Sequence, residues 1–376
     1  MLSLSITHHD GIARSGQVTT AHGTFDTPAF MTVGTLGAPK GVTPLQVTEH
    51  GGQVLLMNAF HLAWRPGEGL VQEMGGLHRF CGWNGPILTD SGGFQIFSLP
   101  GLRKITDEGA LFASAVDGSQ RLFSPESVVD ISLALAPDMA MVLDECPPYP
   151  CEPAVLTSAV DRSIRWAERS IKHAQARPEA NRHTNFFGIV QGGFKESERQ
   201  RSLDATAALP FAGLALGGFC VGETIEDTHR GITYTAPRMP AERPRYLMGM
   251  GTPVDILLAV AHGVDMFDCT LPTRNGRNGL AFTSRGTLRI KNAKHARDDA
   301  PLDPSCGCYT CRNFSRGFLR HLLLAREMNA AILTSLHNLA FYFHLMQGIR
   351  EAIKNKALAA FTASFMAQWN SGSDTE

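Results

Sequence analysis

A chain of 376 residues with 43% hydrophobic and only 18% charged side chains can bury a large core, which excludes disorder for most of its length. No run approaches the roughly 18 consecutive apolar residues of a membrane span. The start, Met1-Leu2-Ser3-Leu4-Ser5, has no basic stretch ahead of a long apolar one, so a cytoplasmic address is expected. The 34 Lys and Arg against 35 Asp and Glu argue at first sight against a polyanionic partner. That balance is uneven along the chain. Residues 1–150 hold 7 basic and 14 acidic side chains, a balance of −7. Residues 243–297 hold 9 basic and 3 acidic ones, a balance of +6: Arg243, Arg245, Arg274, Arg277, Arg285, Arg289, Lys291, Lys294 and Arg297. Such a basic segment fits either a polyanion footprint or a solvated face.

In chain order, residues 1–27 alternate in short runs with Gly11, Gly16 and Gly23 at bends, which predicts a small antiparallel sheet or lid. Eight short apolar runs follow, at 28–33, 53–57, 86–88, 139–143, 186–190, 213–216, 246–248 and 264–267. Most are apolar on consecutive positions, as strands buried on both faces are. Stretches of helical length separate most of them, among them 124–136, 155–174, 196–208 and 253–262. Eightfold strand–helix alternation predicts a (β/α)8 TIM barrel over residues 28–271, with an open doubly wound sheet as the alternative.

The residues after each run carry the chemistry. Asp90, Asp144, Gln191 and Asp268 each stand at the carboxyl end of a predicted strand, the end where barrel enzymes place their sites. One such Asp reads as a helix N-cap; three with an amide on one rim read as a site.

Beyond the barrel, 281–283 and 287–290 predict a hairpin, and 313–367 read as helical, with a frayed tail at the end. Between them Cys306, Cys308 and Cys311 fall within six residues. In a large chain without a disulfide framework, that spacing reads as metal binding, and thiolates favour zinc. A fourth ligand is needed. His337 is a candidate, with His321 and His344 competing. This lobe is expected to span 272–345, with a C-terminal helix and tail over 346–376.

The motifs Asp90-Ser91-Gly92-Gly93-Phe94-Gln95, Asp144-Glu145-Cys146, Gly217-Gly218-Phe219-Cys220-Val221-Gly222-Glu223, Asp265-Met266-Phe267-Asp268-Cys269 and Leu271–Gly279, with the cysteine cluster and His337, resemble the bacterial queuine tRNA-ribosyltransferases, or tRNA-guanine transglycosylases. The resemblance runs from about residue 5 to 365. It implies exchange of the wobble guanine of UGU-anticodon tRNAs (Asp, Asn, His and Tyr type) for 7-aminomethyl-7-deazaguanine, in queuosine biosynthesis. It implies Asp268 as the nucleophile on the ribose and Asp90 as acid–base and base-recognition group. Asp144, Gln191, Gly218 and Phe219 would bind the base edge, Phe94 and Met248 its faces, and Glu223 would act near the 7-substituent. Arg274 and Arg277 would contact RNA. Cys306, Cys308, Cys311 and His337 would hold one structural zinc, and the chain would form a homodimer in which the 314–324 helix takes part. Phe219 and Cys220 stand where bacterial members usually carry Leu and Ala, Asn58-Ala59-Phe60-His61 replaces Asn-Thr-Tyr-His, and Thr32 stands for Pro; Cys146 and Val221 keep the bacterial pattern. The preference among 7-deazaguanines is therefore left open. Two readings compete: a non-catalytic tRNA-binding subunit, which the full carboxylate set disfavours, and a metallohydrolase, which would need an open metal site at the barrel mouth.

Overall fold

The computed structural model describes residues 2–98, 103–113, 118–178 and 183–372; of the tail expected to fray, 373–376 lie outside the described residues. Three antiparallel strands, β1 (Ser3–Asp10), β2 (Ala13–Thr20) and β3 (Gly23–Thr27), open the chain. The barrel begins with β4 (Ala29–Gly34), β5 (Leu55–Met57) and β6 (Ile87–Thr89). A second antiparallel sheet is inserted next: β7 (Arg103–Ile105), β8 (Ala110–Ala113) and β9 (Gln120–Phe123). The barrel resumes with β10 (Met139–Met141), β11 (Asn185–Val190), β12 (Gly213–Leu216), β13 (Arg245–Leu247) and β14 (Met266–Cys269). It closes in parallel register, in the order β10-β11-β12-β13-β14-β4-β5-β6. All eight predicted runs are barrel strands, and an open sheet is excluded.

Period-two alternation divides the strand residues into two cores. Met31, Leu56, Leu88, Met139, Met141, Phe187, Ile189, Ala215, Tyr246 and Met266 fill the interior. Phe30, Leu55, Ile87, Ala140, Phe186, Leu214, Leu247 and Phe267 face outward and pack under the helices. Each strand is buried on both faces, which is why its sequence is apolar without alternation. The helices Pro125–Leu135, Pro153–Gln175, Glu196–Ala207 and Pro253–Ala261 lie where the sequence placed them, and Ser124 and Thr252 cap two of them through their hydroxyl groups.

The first sheet sits against the amino ends of the barrel strands, with Val18 and Phe25 joining the interior core. Two buried aspartates tie it there. Asp265, before β14, takes Nε and Nη2 of Arg14 (2.9 and 2.6 Å) and the Arg245 amide (2.7 Å). Asp138, before β10, takes the His22 and Ile87 amides (3.1 and 2.9 Å). It also meets His22 Nδ1 at 2.9 Å and His78 Nε2 at 3.0 Å.

After β14, the helix Leu271–Arg277 leads to the hairpin β15 (Leu280–Thr283) and β16 (Gly286–Arg289). The long helix Met328–Lys354 anchors this segment. Its Asn338 takes the Phe282 amide (2.9 Å) and donates to the carbonyls of Pro272 and Leu280 (2.9 and 3.0 Å). Gly276 lets the two helices meet: a Cβ there would lie 2.7 Å from the Ser335 backbone nitrogen.

Burial alone would raise the Asp138 carboxyl, but the His78, Ile87 and His22 contacts more than offset it and hold it well below the ordinary carboxylate range. A carboxyl depressed on folding contributes stability above its unfolded value, near pH 4, and loses it as the pH falls further. Asp138→Ala is expected to lower the unfolding free energy by about 3 kcal/mol at pH 7, because it strands several buried donors. Urea melts at pH 7 and pH 3 check this: the gap between wild type and variant should narrow at pH 3.

Candidate functional site

The strand ends bring the predicted polar residues to one mouth. Asp268 is the penultimate residue of β14, 8% exposed. Its Oδ1 accepts the Tyr246 hydroxyl (2.6 Å) and the Gly249 amide (2.7 Å), while Oδ2 has no hydrogen-bond partner among the described residues. Asp90 follows β6, and its two oxygens take the Ala59 amide (2.7 Å) and the Asn58 side-chain amide. Asn58 is itself fixed, since its Oδ1 caps the helix Ala59–Trp64 through the His61 amide (2.8 Å). Asp144 follows β10 and accepts Gln191 Nε2 at 2.6 Å. Gly93 is required beside it, because a Cβ there would fall 1.8 Å from Asp144 Oδ1. The Gln191 backbone amide is held by Ser202 Oγ (3.0 Å), and the side-chain Oε1 is buried with no partner among the described residues, an acceptor left open.

No ion pair is formed by these three carboxylates among the described residues. Burial pushes the Asp90 carboxyl up to about 7; the Ala59 amide opposes this, and Asp268 and Asp144 add to it. Burial likewise lifts Asp144 to about 6 against the Gln191 hydrogen bond. Asp268 is raised by burial, with Tyr246 and Gly249 opposing. The mouth therefore offers a carboxylate with one free oxygen, beside a carboxyl that exchanges its proton near neutral pH.

Around it, Phe94 is 53% exposed at the start of the helix Gly93–Ser98, and Met248 lies partly buried against the interior core. Glu223 faces its own loop. Its oxygens take the amides of Cys220 (2.7 Å) and Val221 (2.8 Å) and the Thr228 hydroxyl (2.8 Å). Arg274 and Arg277 lie on the helix directly after β14. Arg274 is exposed, and Arg277 Nη1 is buried with no partner. Two other members of the basic segment are engaged elsewhere. Arg245 sits at the amino end of β13 and spends its guanidinium on the carbonyls of Met239, Pro240 and Gly263, while Arg243 bonds the Leu209 carbonyl.

Away from the mouth, Cys306, Cys308, Cys311 and His337 place their ligand atoms within 4.8 Å of one another. His337 Nδ1 lies 3.6 Å from Cys308 Sγ and 3.3 Å from Cys311 Sγ. Its Nε2 lies 2.7 Å from the Phe282 carbonyl, the second contact that orients a ligating imidazole. The donor set fits a four-coordinate metal ion with no open position. Of the three histidines considered, His337 is the one in the cluster.

Sequence reasoning missed Tyr246, Asn58 and Arg199. Tyr246 shares the interior face of β13 with Met248, so the period of two was the available signal. Asn58 stood at a strand end like the aspartates. Arg199 had no signal beyond its place in a helix.

A closed barrel with a carboxylate mouth and a separate thiol–imidazole cluster that could hold a metal ion defines a (β/α)8 enzyme with a metal-type lobe. The family model described as Queuine tRNA-ribosyltransferase matches residues 9–371, and the chain belongs to that family. A queuine tRNA-ribosyltransferase of Methylobacillus flagellatus is 49% identical over 364 residues, 97% of each chain. One of Solidesulfovibrio magneticus is 50% identical over 363 residues, 96% of each chain. One of Pseudomonas aeruginosa is 49% identical over 360 residues, 96% of this chain and 95% of that one. The protein is thus a transferase of tRNA queuosine modification, a tRNA-guanine transglycosylase.

Because Asp90 keeps its proton at pH values where the unfolded chain has lost it, unfolding releases that proton, and stability falls as pH rises from about 4 to about 7. Asp90→Asn removes this penalty. Its melting temperature relative to wild type should therefore be more favourable at pH 8 than at pH 4.5, read by calorimetry. A difference independent of pH would remove the electrostatic account.

Proposed function

We propose that the protein exchanges the wobble guanine of UGU-anticodon tRNAs (Asp, Asn, His and Tyr type) for 7-aminomethyl-7-deazaguanine through a covalent intermediate on Asp268. The observation that carries this reading is the Asp268 carboxylate, held at Oδ1 by Tyr246 and Gly249 and open at Oδ2, beside the half-buried Asp90.

The anticodon loop lets the guanine leave the stack at modest cost. Asp268 Oδ2 then attacks the ribose C1′. The bond from C1′ to the base nitrogen breaks with its electron pair on guanine, and Asp90 delivers the proton that neutralises the leaving base. The RNA stays attached through the aspartyl ester-like bond while the bases change places. Asp90, now ionised, takes the ring N–H proton of the incoming base. The freed nitrogen attacks C1′, and the Asp268 carboxylate departs. Two inversions restore the original configuration.

Asp144 and the open Gln191 Oε1 suit the donors and acceptors of a purine-like edge, with the backbone of Gly218 and Phe219 closing the pocket. Phe94 and Met248 supply its apolar faces. Glu223, by binding the Cys220 amide, turns the Phe219 carbonyl outward as an acceptor for an ammonium. Arg274 and Arg277 contact the RNA on the far side of Asp268. One zinc ion, held by Cys306, Cys308, Cys311 and His337, takes no part in these steps and supplies stability to the lobe. Exposed Phe318, Leu324 and Met328 support a homodimer through the helix Arg316–Leu324. No described helix is long and apolar enough to cross a membrane, in keeping with a cytoplasmic tRNA substrate.

Exchange of labelled guanine into an unmodified UGU-anticodon tRNA tests the reaction. Asp268→Asn should lose roughly a thousandfold or more in rate; full activity would remove Asp268 as nucleophile. Cys308→Ala should lower bound zinc from one per chain, read by elemental analysis. Arg274→Ala and Arg277→Ala should each flatten the salt dependence of tRNA binding, with the log–log slope falling by about 0.7 per lost phosphate contact. Slopes equal to wild type would exclude phosphate contacts there.

A further inference from the structure

Asp303 stands shortly before Cys306 in the chain and is 4% exposed. A carboxylate in such a place is tolerated only when its oxygens are met. Oδ1 accepts the Ser305 amide (2.9 Å), the Ser305 hydroxyl (2.7 Å) and the Ser284 hydroxyl (3.1 Å). Oδ2 accepts the Ser284 amide (2.6 Å). The Asp303 carbonyl also takes the Cys306 amide (3.1 Å). Ser305 and Cys306 belong to the cysteine loop, whereas Ser284 lies in the turn between β15 and β16. One side chain thus joins the loop to the hairpin.

Two further contacts complete a frame. His337 Nε2 lies 2.7 Å from the carbonyl of Phe282, in the same hairpin. Thr310, fully buried, donates its hydroxyl to the Leu333 carbonyl (2.7 Å), one turn before His337 on the long helix. Hairpin meets helix at Phe282, loop meets helix at Thr310, and loop meets hairpin at Asp303.

The loop needs such a brace. Pro304, Ser305, Gly307 and Tyr309 are exposed, so apolar packing holds little of the chain between Asp303 and Thr310. The ligand atoms lie within 4.8 Å of one another, and thiolates at that spacing repel until a cation joins them. A loop fixed to the hairpin keeps them together. A free loop lets them separate, and a metal ion must then gather them against chain entropy.

We propose that Asp303 is a positioning residue of this cluster. It fixes the three thiols against the hairpin that orients His337, so that a site for a thiolate-binding dication such as zinc is formed before the ion arrives. The proposal rests on the zinc reading above; Asp303 lies outside the ligand set and acts through the backbone of the loop.

The test is competition of the zinc-loaded full chain against a chelating dye, with zinc transfer read by absorbance, for wild type, Asp303→Asn, Asp303→Glu and Leu319→Ala. In Asp303→Asn the NH2 group meets a donor whichever way it is turned, either the Ser284 amide or the Ser305 amide. Asp303→Glu keeps the charge and displaces the oxygens. Both should bind zinc at least roughly tenfold more weakly, the scale of an outer contact around a metal ligand. Leu319, fully buried in the apolar core of the same lobe, is the control: Leu319→Ala should melt lower and keep the wild-type zinc affinity. Wild-type affinity in Asp303→Asn would overturn the proposal. Wild-type affinity in Asp303→Glu would do the same, by making the effect one of charge, and an equal loss in Leu319→Ala would make it one of general stability. If neither Asp303 variant folds, Ser284→Ala decides alone: it removes the hydroxyl contact and should release zinc more readily than wild type, and unchanged release would overturn the proposal. A wild type that carries no zinc would overturn the zinc reading, and the role of Asp303 with it; a wild type with one zinc per chain and unaltered variants would overturn that role alone.

Discussion

Three carboxylates share one mouth, and among the described residues the protein supplies them with neutral donors only. Asn58 and Ala59 hold Asp90, Gln191 holds Asp144, and Tyr246 and Gly249 hold Asp268. A lysine or arginine in that ring would stabilise the charged form of all three and lower their affinity for protons. Neutral donors keep the carboxyl groups in place while leaving their charge unbalanced. The closed parallel barrel makes this arrangement possible, because its two apolar layers carry the folding free energy that the mouth does not.

The charges are sorted accordingly along the barrel axis. At the amino ends, Asp265 meets Arg14 and Asp138 meets two imidazoles; the contacts of Asp138 hold its carboxyl down and contribute stability, whereas burial outweighs those of Asp265 and raises its carboxyl. At the carboxyl ends, the acids face one another. The cation nearest the base loops, Arg199, is bound to carbonyls and a ring and presents no N–H to a carboxylate. Chains of the same composition could pair these groups differently; the strand register decides which acid is structural and which is reactive.

Much of this was legible in the sequence because the barrel writes it plainly. Unbroken apolar runs such as Phe186–Val190 and Gly213–Leu216 identify strands buried on both sides, and the residue following each marks the rim. The cysteine spacing pointed to a metal-type cluster in the same way. What stayed hidden had no periodic signature. The sheet β7–β9, with mixed residues such as Gln120–Phe123, lies outside the eight apolar runs. Tyr246 looked like core, since a side chain that fills a barrel interior and one that also carries a hydroxyl to the rim share the same apolar pattern. The basic segment misled in part: Arg243 and Arg245 are close in sequence to Asp268 but at the opposite end of the barrel, a consequence of strands that cross the molecule in three or four residues.

The long helix Met328–Lys354 carries His337 into the cysteine cluster and, at the next position, Asn338 into the segment that follows the nucleophile strand. Two neighbouring side chains on one helix thus reach the cysteine cluster and the helix bearing Arg274 and Arg277. Parts far apart in the chain share a single support, so a change that displaces the long helix disturbs both at once.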